Sequence, residues 1–495
     1  MRSDNVARPE LSRAPGEQLP AWGTGNLPEP PPSPWKNAFR VIGLGAVLLA
    51  FSLGAGEWLF GPAALARHGP AVLWIAVVSV VLQALLNTEM ARYTLFTGEP
   101  IFTGFMRTAP GPAFWGWSYA LMNFLQVGWP GWALTAATAA AALFLGRVPD
   151  EGDRVVVLYF GYLTFLVSVL LVLLYDRVEK TIEYAERFMT CWILGSLFLM
   201  SFFLVPADVW ATVGRGFVAP LLGSPRFPGE IDWLLLAGFA AYSGAGGTNA
   251  TMTYWIRDKG FGMSGTVGSS PATIGGQQVN LSPTGSVFPP SADNLRRWKV
   301  WWEYLRADQW HIWVPGSLVG MGLPALIACA FMGPGTILGG YGIAAYLPEA
   351  LGKRFGAVPW LLGLLTGFWI LFSTQLANAG GFAGVTGDIL WTARGKARSW
   401  RGEDYPTLYY RALLSFAVAG CVALPLADPL TLILIGANVA GGNLVVLSLH
   451  TLVVNRKFLP PELRPPLWRE VGLVLCALFF LGLALLALAQ KALGA

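Results

Sequence analysis

The sequence predicts an all-α polytopic membrane protein, and three observations carry that prediction. Of the 495 residues, 54% are apolar and only 12% are charged, whereas a soluble domain carries about a quarter charged residues. Mean hydropathy is +0.53. The apolar residues also gather into eleven stretches, most near the ~20 residues needed to cross ~30 Å of hydrocarbon. These features exclude a soluble enzyme built from one or two packed domains. Cys191, Cys329, Cys421 and Cys476 lie in apolar stretches without CxxC spacing. They make neither a disulfide framework nor a thiolate metal site.

Residues 1–38 are polar and Pro-rich, running through Pro28-Glu29-Pro30-Pro31-Pro32-Ser33-Pro34. They lack the apolar core and cleavage site of a signal peptide. Such a composition cannot bury a core, so a disordered cytoplasmic tail is expected. The spans follow at 41–66, 71–96, 113–146, 155–175, 188–205, 233–256, 312–332, 358–391, 412–427, 430–454 and 468–492. With alternating sides assigned, 25 of the 33 Lys and Arg fall on the side of the N-terminus. This positive-inside bias places the N-terminus in the cytoplasm, in the inner membrane of a prokaryotic cell, and the C-terminus outside. Topology accounts for the basic pI, so no nucleic-acid partner is expected.

Within the cytoplasmic insertion 258–311, Gly260 to Pro290 is too polar and too broken to span. Ser291 to Trp310 reads as a helix, with Leu295, Trp298, Trp302 and Leu305 at helical spacing and Arg296, Arg297 and Lys299 beside them. Two placements fit equally: flat in the headgroup plane, or packed on the cytoplasmic face of the bundle.

Two spans are interrupted by glycine at matching depth. The first contains Gly54-Ala55-Gly56-Glu57 and the sixth contains Ser243-Gly244-Ala245-Gly246-Gly247-Thr248-Asn249. They open two halves of five spans each, 39–205 and 233–455, with an eleventh span at 467–495. Glycines alone can serve close helix packing, but paired interruptions in the two halves point to an inverted-repeat transporter site. Glu57 is an ionisable group in mid-membrane, which is costly and by default functional. Free carbonyls beside its carboxylate make a hard oxygen site, to which Ser243, Thr248, Asn249 and Thr251 add neutral oxygens. Neither break holds Met, His or Cys, so the ligand set favours Mg²⁺, Ca²⁺ or Na⁺ over softer metals. Asn123 and Gln126 on the third span, and Gln375 and Asn378 on the eighth, either line a pathway or bond between helices. Glu89 is expected to pair with Arg92, and Asp388 with Arg394.

From Gly43 to about Asn455, the order and spacing of these features resemble the Nramp (natural resistance-associated macrophage protein) metal transporters. The first span, Arg92-Tyr93-Thr94, Thr97-Gly98-Glu99-Pro100, and the eighth-span residues Phe372-Ser373-Thr374-Gln375 and Gly384-Val385-Thr386-Gly387-Asp388 carry the resemblance. It implies a LeuT-type fold of eleven transmembrane helices, a five-plus-five inverted repeat with helices 1 and 6 broken. The departures fall at the family's functional positions. Gly54 stands where the family has its metal-ligating Asp, and Glu57 where it has Asn. Gly246-Gly247-Thr248 replaces Met-Pro-His. Asn123 and Gln126 match the third-span acids implicated in proton movement, and neither can titrate.

The expectation is a secondary transporter in the lipid bilayer moving a cation, foremost a hard divalent ion such as Mg²⁺, by uncoupled alternating access. Its substrate site comprises Gly54, Glu57, Ser243, Gly244, Thr248 and Asn249, with Glu57 and Asn249 on the metal. Asn123, Gln126, Gln375 and Asn378 mark the pathway. No cofactor is expected, and no catalytic motif is present. The alternatives are a small organic solute on the same fold, walled by Trp58, Tyr242, Tyr254 and Trp255, or a non-transporting membrane receptor.

Overall fold

The computed structural model describes residues 19–31, 56–223, 231–267, 284–333, 339–398 and 404–493. The first span is described from a π-helical turn, Gly56–Phe60, that runs directly into α1 (Gly61–His68). After a 3₁₀ turn at Pro70–Leu73, α2 (Trp74–Thr97) crosses unbroken. It stops at Gly98, whose φ of +73° is the left-handed conformation that ends many helices. A short α3 (Ile101–Met106) leads to α4 (Pro112–Val127) and α5 (Gly131–Leu145), a pair hinged at Gly128-Trp129-Pro130. Next come α6 (Arg154–Leu173), α7 (Tyr175–Leu204) and α8 (Ala207–Phe217), with a bend of 118° between α7 and α8.

The sixth span is two half-helices, α9 (Trp233–Tyr242) and α10 (Met252–Asp258). Then α11 (Ala292–Asp308) joins α12 (Val314–Phe331) through a π-helical turn. The chain closes with α13 (Tyr346–Phe355), α14 (Ala357–Arg398), α15 (Asp404–Ala423), α16 (Pro429–Phe458) and α17 (Leu467–Leu493).

Among the described residues, eight helices are long and apolar enough to cross a membrane, or nine if the bent α7–α8 pair counts as one span. Eleven were expected. Each half of the sixth span is too short alone, and much of the first lies outside the described residues.

From Gln83 to Thr97 every residue of α2 is buried, so this helix is the axis of the bundle. Large apolar side chains such as Leu166, Phe203, Val418, Leu478 and Leu488 stand exposed on the peripheral helices. Lipid is the environment that stabilises such a surface.

Part of the expected disordered tail is folded. Residues 23–24 pair in parallel with residues 286–287 of the insertion, in the register Gly23 to Ser286. Leu27 is fully buried; its N–H donates to Asn294 Oδ1 at 3.1 Å, and its carbonyl accepts from Arg297 at 2.7 Å. Trp301 donates to Pro28 O at 3.0 Å. Trp22 lies under the Arg107 guanidinium, 4.7 Å from the ring centre, and edge-on to Phe458. These apolar anchors give residues 19–31 the burial that the Pro-rich composition around them lacks. Residues 1–18 and 32–38 of the tail lie outside the described residues. The α11 helix takes the second of its two expected placements: Trp298, Trp301 and Leu305 are buried against the bundle in one cluster with Leu27 and Phe288.

Candidate functional site

The sixth span unwinds after Tyr242 and resumes helical form at Met252, with a 3₁₀ turn at Gly246–Thr251 between. Gly246 sits at φ +59°, a conformation that side-chain-bearing residues adopt only with strain. Backbone groups freed in a membrane need partners, and Gln83 of α2 supplies them. Its Oε1 accepts from Gly246 N–H at 3.1 Å and from Asn249 Nδ2 at 2.7 Å. Its Nε2 donates to Ser79 Oγ at 2.9 Å and to Ala241 O at 3.3 Å. Ser79 donates in turn to Ala240 O at 2.5 Å. A Cβ added at Gly244 would lie 2.6 Å from Gln83 Oε1, so an alanine there would push the Gln83 amide from its partners.

On the other face of the break lies a cavity of about 380 Å³. Thr248 and Thr251 enter it from the break; their hydroxyls donate to Ala245 O and Thr248 O, leaving oxygen lone pairs free to accept. Asn123 of α4 and Asn378 of α14 add amides, and Tyr254, Trp255, Phe382 and Tyr405 wall it. At the end of α10, Arg257 donates to Asp388 Oδ1 at 2.8 Å and to Asp258 Oδ1 at 3.1 Å, with its guanidinium 5.0 Å from the Tyr254 ring centre.

The expected site residues separate into groups. Gly54 and the Glu57 side chain lie outside the described residues. The backbone of Glu57 belongs to the Gly56–Phe60 turn, which packs on α9, with Phe60 stacked on Tyr242 at 6.1 Å. The described part of the first span therefore meets the sixth at the end of α9, where the sixth unwinds, while the expected break at Gly54-Ala55 lies outside the described residues. Thr248, Asn123 and Asn378 share the cavity lining. Ser243, Gly244 and Asn249 sit behind it: Ser243 is buried and bonds Phe239 O at 2.7 Å, while the other two face Gln83. Gln126 lines a second pocket of only about 20 Å³ and accepts from Asn443 at 2.9 Å. Gln375 is buried and lines neither pocket.

Glu89 pairs with Arg92 at 2.7 Å and also with Arg469 at 2.6 Å, the second partner arriving from α17. Asp388 is a correction. Its partner is Arg257, whereas Arg394 lies over the Trp117 ring at 5.4 Å. Sequence distance favoured Arg394, but the half-helix α10 delivers Arg257 to the inner face of α14.

Among the described residues, no three His, Cys, Asp or Glu side chains converge as a metal-ligand set. Gln83 escaped the sequence reading, although an amide in the middle of an apolar helix was the available signal.

No protein-family model and no curated protein matches the sequence. Solved structures do. The chain is similar to the manganese transporter of Eremococcus coleocola, crystallised with an aromatic bis-isothiourea substituted compound. The TM-score is 0.58 at 18% identity, over 96% of this chain and 91% of that one. A histidine-to-alanine mutant of the same transporter gives 0.59 at 16% identity, with 96% and 91% covered. The chain is thus a polytopic membrane protein with the LeuT-type fold. At this identity the likeness extends to the fold and no further.

Proposed function

We propose that the chain is a secondary transporter working by alternating access, with its substrate bound where the interrupted first and sixth spans meet. The observation that carries this reading is the Gly56–Phe60 turn seated on α9 at the break, with the break opening on a cavity of about 380 Å³. Irregular backbone at membrane depth is tolerated where it lines such a path.

A hard divalent cation of the Mg²⁺ type is the first substrate. Glu57 supplies the charge, and Thr248 and Thr251 supply accepting hydroxyls. Asn249 Oδ1 is buried without a hydrogen-bond donor and offers an oxygen that a cation would satisfy. The manganese cargo of the Eremococcus transporter supports a metal, while the oxygen-only donor set favours a harder one. Uptake of Mg²⁺ and Mn²⁺ into proteoliposomes tests this. Saturable Mg²⁺ uptake lost in Glu57→Gln is expected, and uptake unchanged in that variant would remove Glu57 from the site.

A small organic solute is the second reading, favoured by the aromatic wall of Tyr254, Trp255, Phe382 and Tyr405. The cavity falls within the ~300–1,000 Å³ of small-molecule pockets. Thermal-shift screening of the purified protein with solutes and metals in parallel separates the two.

A further inference from the structure

We propose that His450 of α16 is a proton-binding site, linked to the substrate cavity through Tyr119 and one water molecule held in the pocket of about 20 Å³. The proposal rests on the transporter reading above and names its coupling ion. Uncoupled movement was expected because Asn123 and Gln126 cannot titrate, yet an ionisable side chain, His450, stands beyond them on the far side of Tyr119.

The geometry forms a continuous path. Asn123 lines both the large cavity and the small pocket, and Tyr119 and Gln126 line the small one with it. Such a volume admits a single water, which needs about 10–15 Å³ and two or more polar partners. Gln126 is 3% exposed, and its Nε2 has no hydrogen-bond partner. Asn443 fixes the orientation of that amide by donating to Gln126 Oε1 at 2.9 Å and to Met122 O at 3.2 Å. An unpaired buried donor beside a water-sized polar pocket is the place for an ordered water.

Beyond the pocket, the Tyr119 hydroxyl lies 2.7 Å from His450 Nδ1, and Thr108 Oγ1 lies 2.8 Å from Nε2. Thr108 gives its own hydrogen to Phe105 O at 2.7 Å, so it accepts from Nε2–H. The neutral ring therefore takes the Tyr119 hydrogen at Nδ1. A second proton enters in one concerted move. The Tyr119 hydrogen passes to Nδ1, Tyr119 recovers a hydrogen from the protonated pocket water, and that water is left neutral. Phe105 and Trp115 flank the imidazole with ring centroids 4.3 Å away, and aromatic faces stabilise a cation so placed.

The ionisable groups on the surrounding elements are engaged elsewhere. On α2, Glu89 pairs with Arg92 and with Arg469 of α17, and Tyr93 donates to Glu99. Glu99 also holds Arg107, beside Thr108. On α17, Glu470 pairs with Arg456 of α16, and the buried Cys476 thiol lies against Ser448 of α16. Tyr242 of α9 stacks on Phe60, and α3 and α5 carry no ionisable side chain. Tyr119 is the titratable group in contact.

The test uses the full chain, purified in detergent with ¹⁵N-histidine. Three histidines are present, and H450Q assigns the signal. His450 is expected to take up a proton as pH falls, with a midpoint that moves in Y119F. In proteoliposomes given Mg²⁺ or Mn²⁺, proton movement recorded by an internal pH dye is expected to accompany uptake and to vanish in H450Q and Y119F. A ring that stays neutral down to the pH at which the protein unfolds overturns the proposal, as does proton movement undiminished in both variants. If His450 titrates as described but the wild type takes up neither metal, the metal reading fails and the proton site stands.

Discussion

Gln83 Oε1 stands 2.7 Å from Asn249 Nδ2 and 3.1 Å from the Gly246 amide, so one side chain of an unbroken helix substitutes for the helical partners that the break removes. Replacing Gln83 by Leu keeps the bulk but leaves a buried N–H and a buried amide unpaired. Each such group costs about 1–3 kcal/mol, so Gln83→Leu is expected to lose about 2–4 kcal/mol. Thermal unfolding in detergent measures it, and a melting temperature equal to wild type would count against the role. Gly244→Ala is expected to destabilise by collision with the same oxygen.

What could be read from the sequence follows the physics of each signal. Hydropathy marked the eight or nine long apolar helices seen among the described residues because burial in lipid selects for it over ~20 residues at a time, and the Gly244–Gly247 cluster marked the unwound segment because few other residues bend a helix so. Thr248, Asn123 and Asn378 meet in the cavity as expected of polar groups in mid-membrane. The Asp388 partner was not legible, since residues 131 apart in sequence are joined only by tertiary folding. Nor was the folded strap at residues 19–31. Two anchors, Trp22 and Leu27, hold a segment whose average composition reads as unfolded.

The Arg257–Asp388 pair makes an energetic prediction. Both side chains are nearly fully buried, and removing one partner of a buried pair leaves an uncompensated charge worth about 3–5 kcal/mol. Asp388→Asn is expected near the lower end, because Asp258 still accepts from Arg257. Arg394→Gln is expected to stay within about 0.5 kcal/mol of wild type. Equal effects of the two variants would restore the Asp388–Arg394 pairing.

Acid is expected to loosen the strap. Burial would raise the Glu99 carboxyl, but the Arg107 charge, their hydrogen bonds and the Gly285 N–H together hold it below its ordinary value of 4.5. Arg107 also donates to Pro20 O at 2.9 Å, tying the strap to this pair. A carboxyl with a lowered folded pKa stabilises fully above its unfolded value and loses that contribution as pH falls through the folded one. Proteolytic cleavage within residues 19–31 is therefore expected to be slow at neutral pH and to accelerate only below about pH 4.5, with Arg107→Gln cleaved fast at both. A protease that stays active from neutral pH to below pH 4 is the probe, and a rate independent of pH would rule the linkage out.

The cavity can be filled without disturbing the break. Thr251 faces it from the N-terminal end of α10, and its hydroxyl bonds only Thr248 O within the same turn. Thr251→Trp adds a large ring to a space of about 380 Å³ while sparing Gln83, Asn249 and the Arg257–Asp388 pair. Losing one local hydroxyl bond costs about 0.5–1.5 kcal/mol, so the melting temperature is expected to stay close to wild type. Uptake of Mg²⁺ into proteoliposomes is expected to fall at least tenfold, because a ring in the vestibule raises the barrier to passage by more than the roughly 1.4 kcal/mol that a factor of ten requires. A receptor that merely kept the scaffold would show no flux to lose. Wild-type flux that Thr251→Trp left intact would place the pathway elsewhere in the bundle, and the sixth-span break would then be a packing feature.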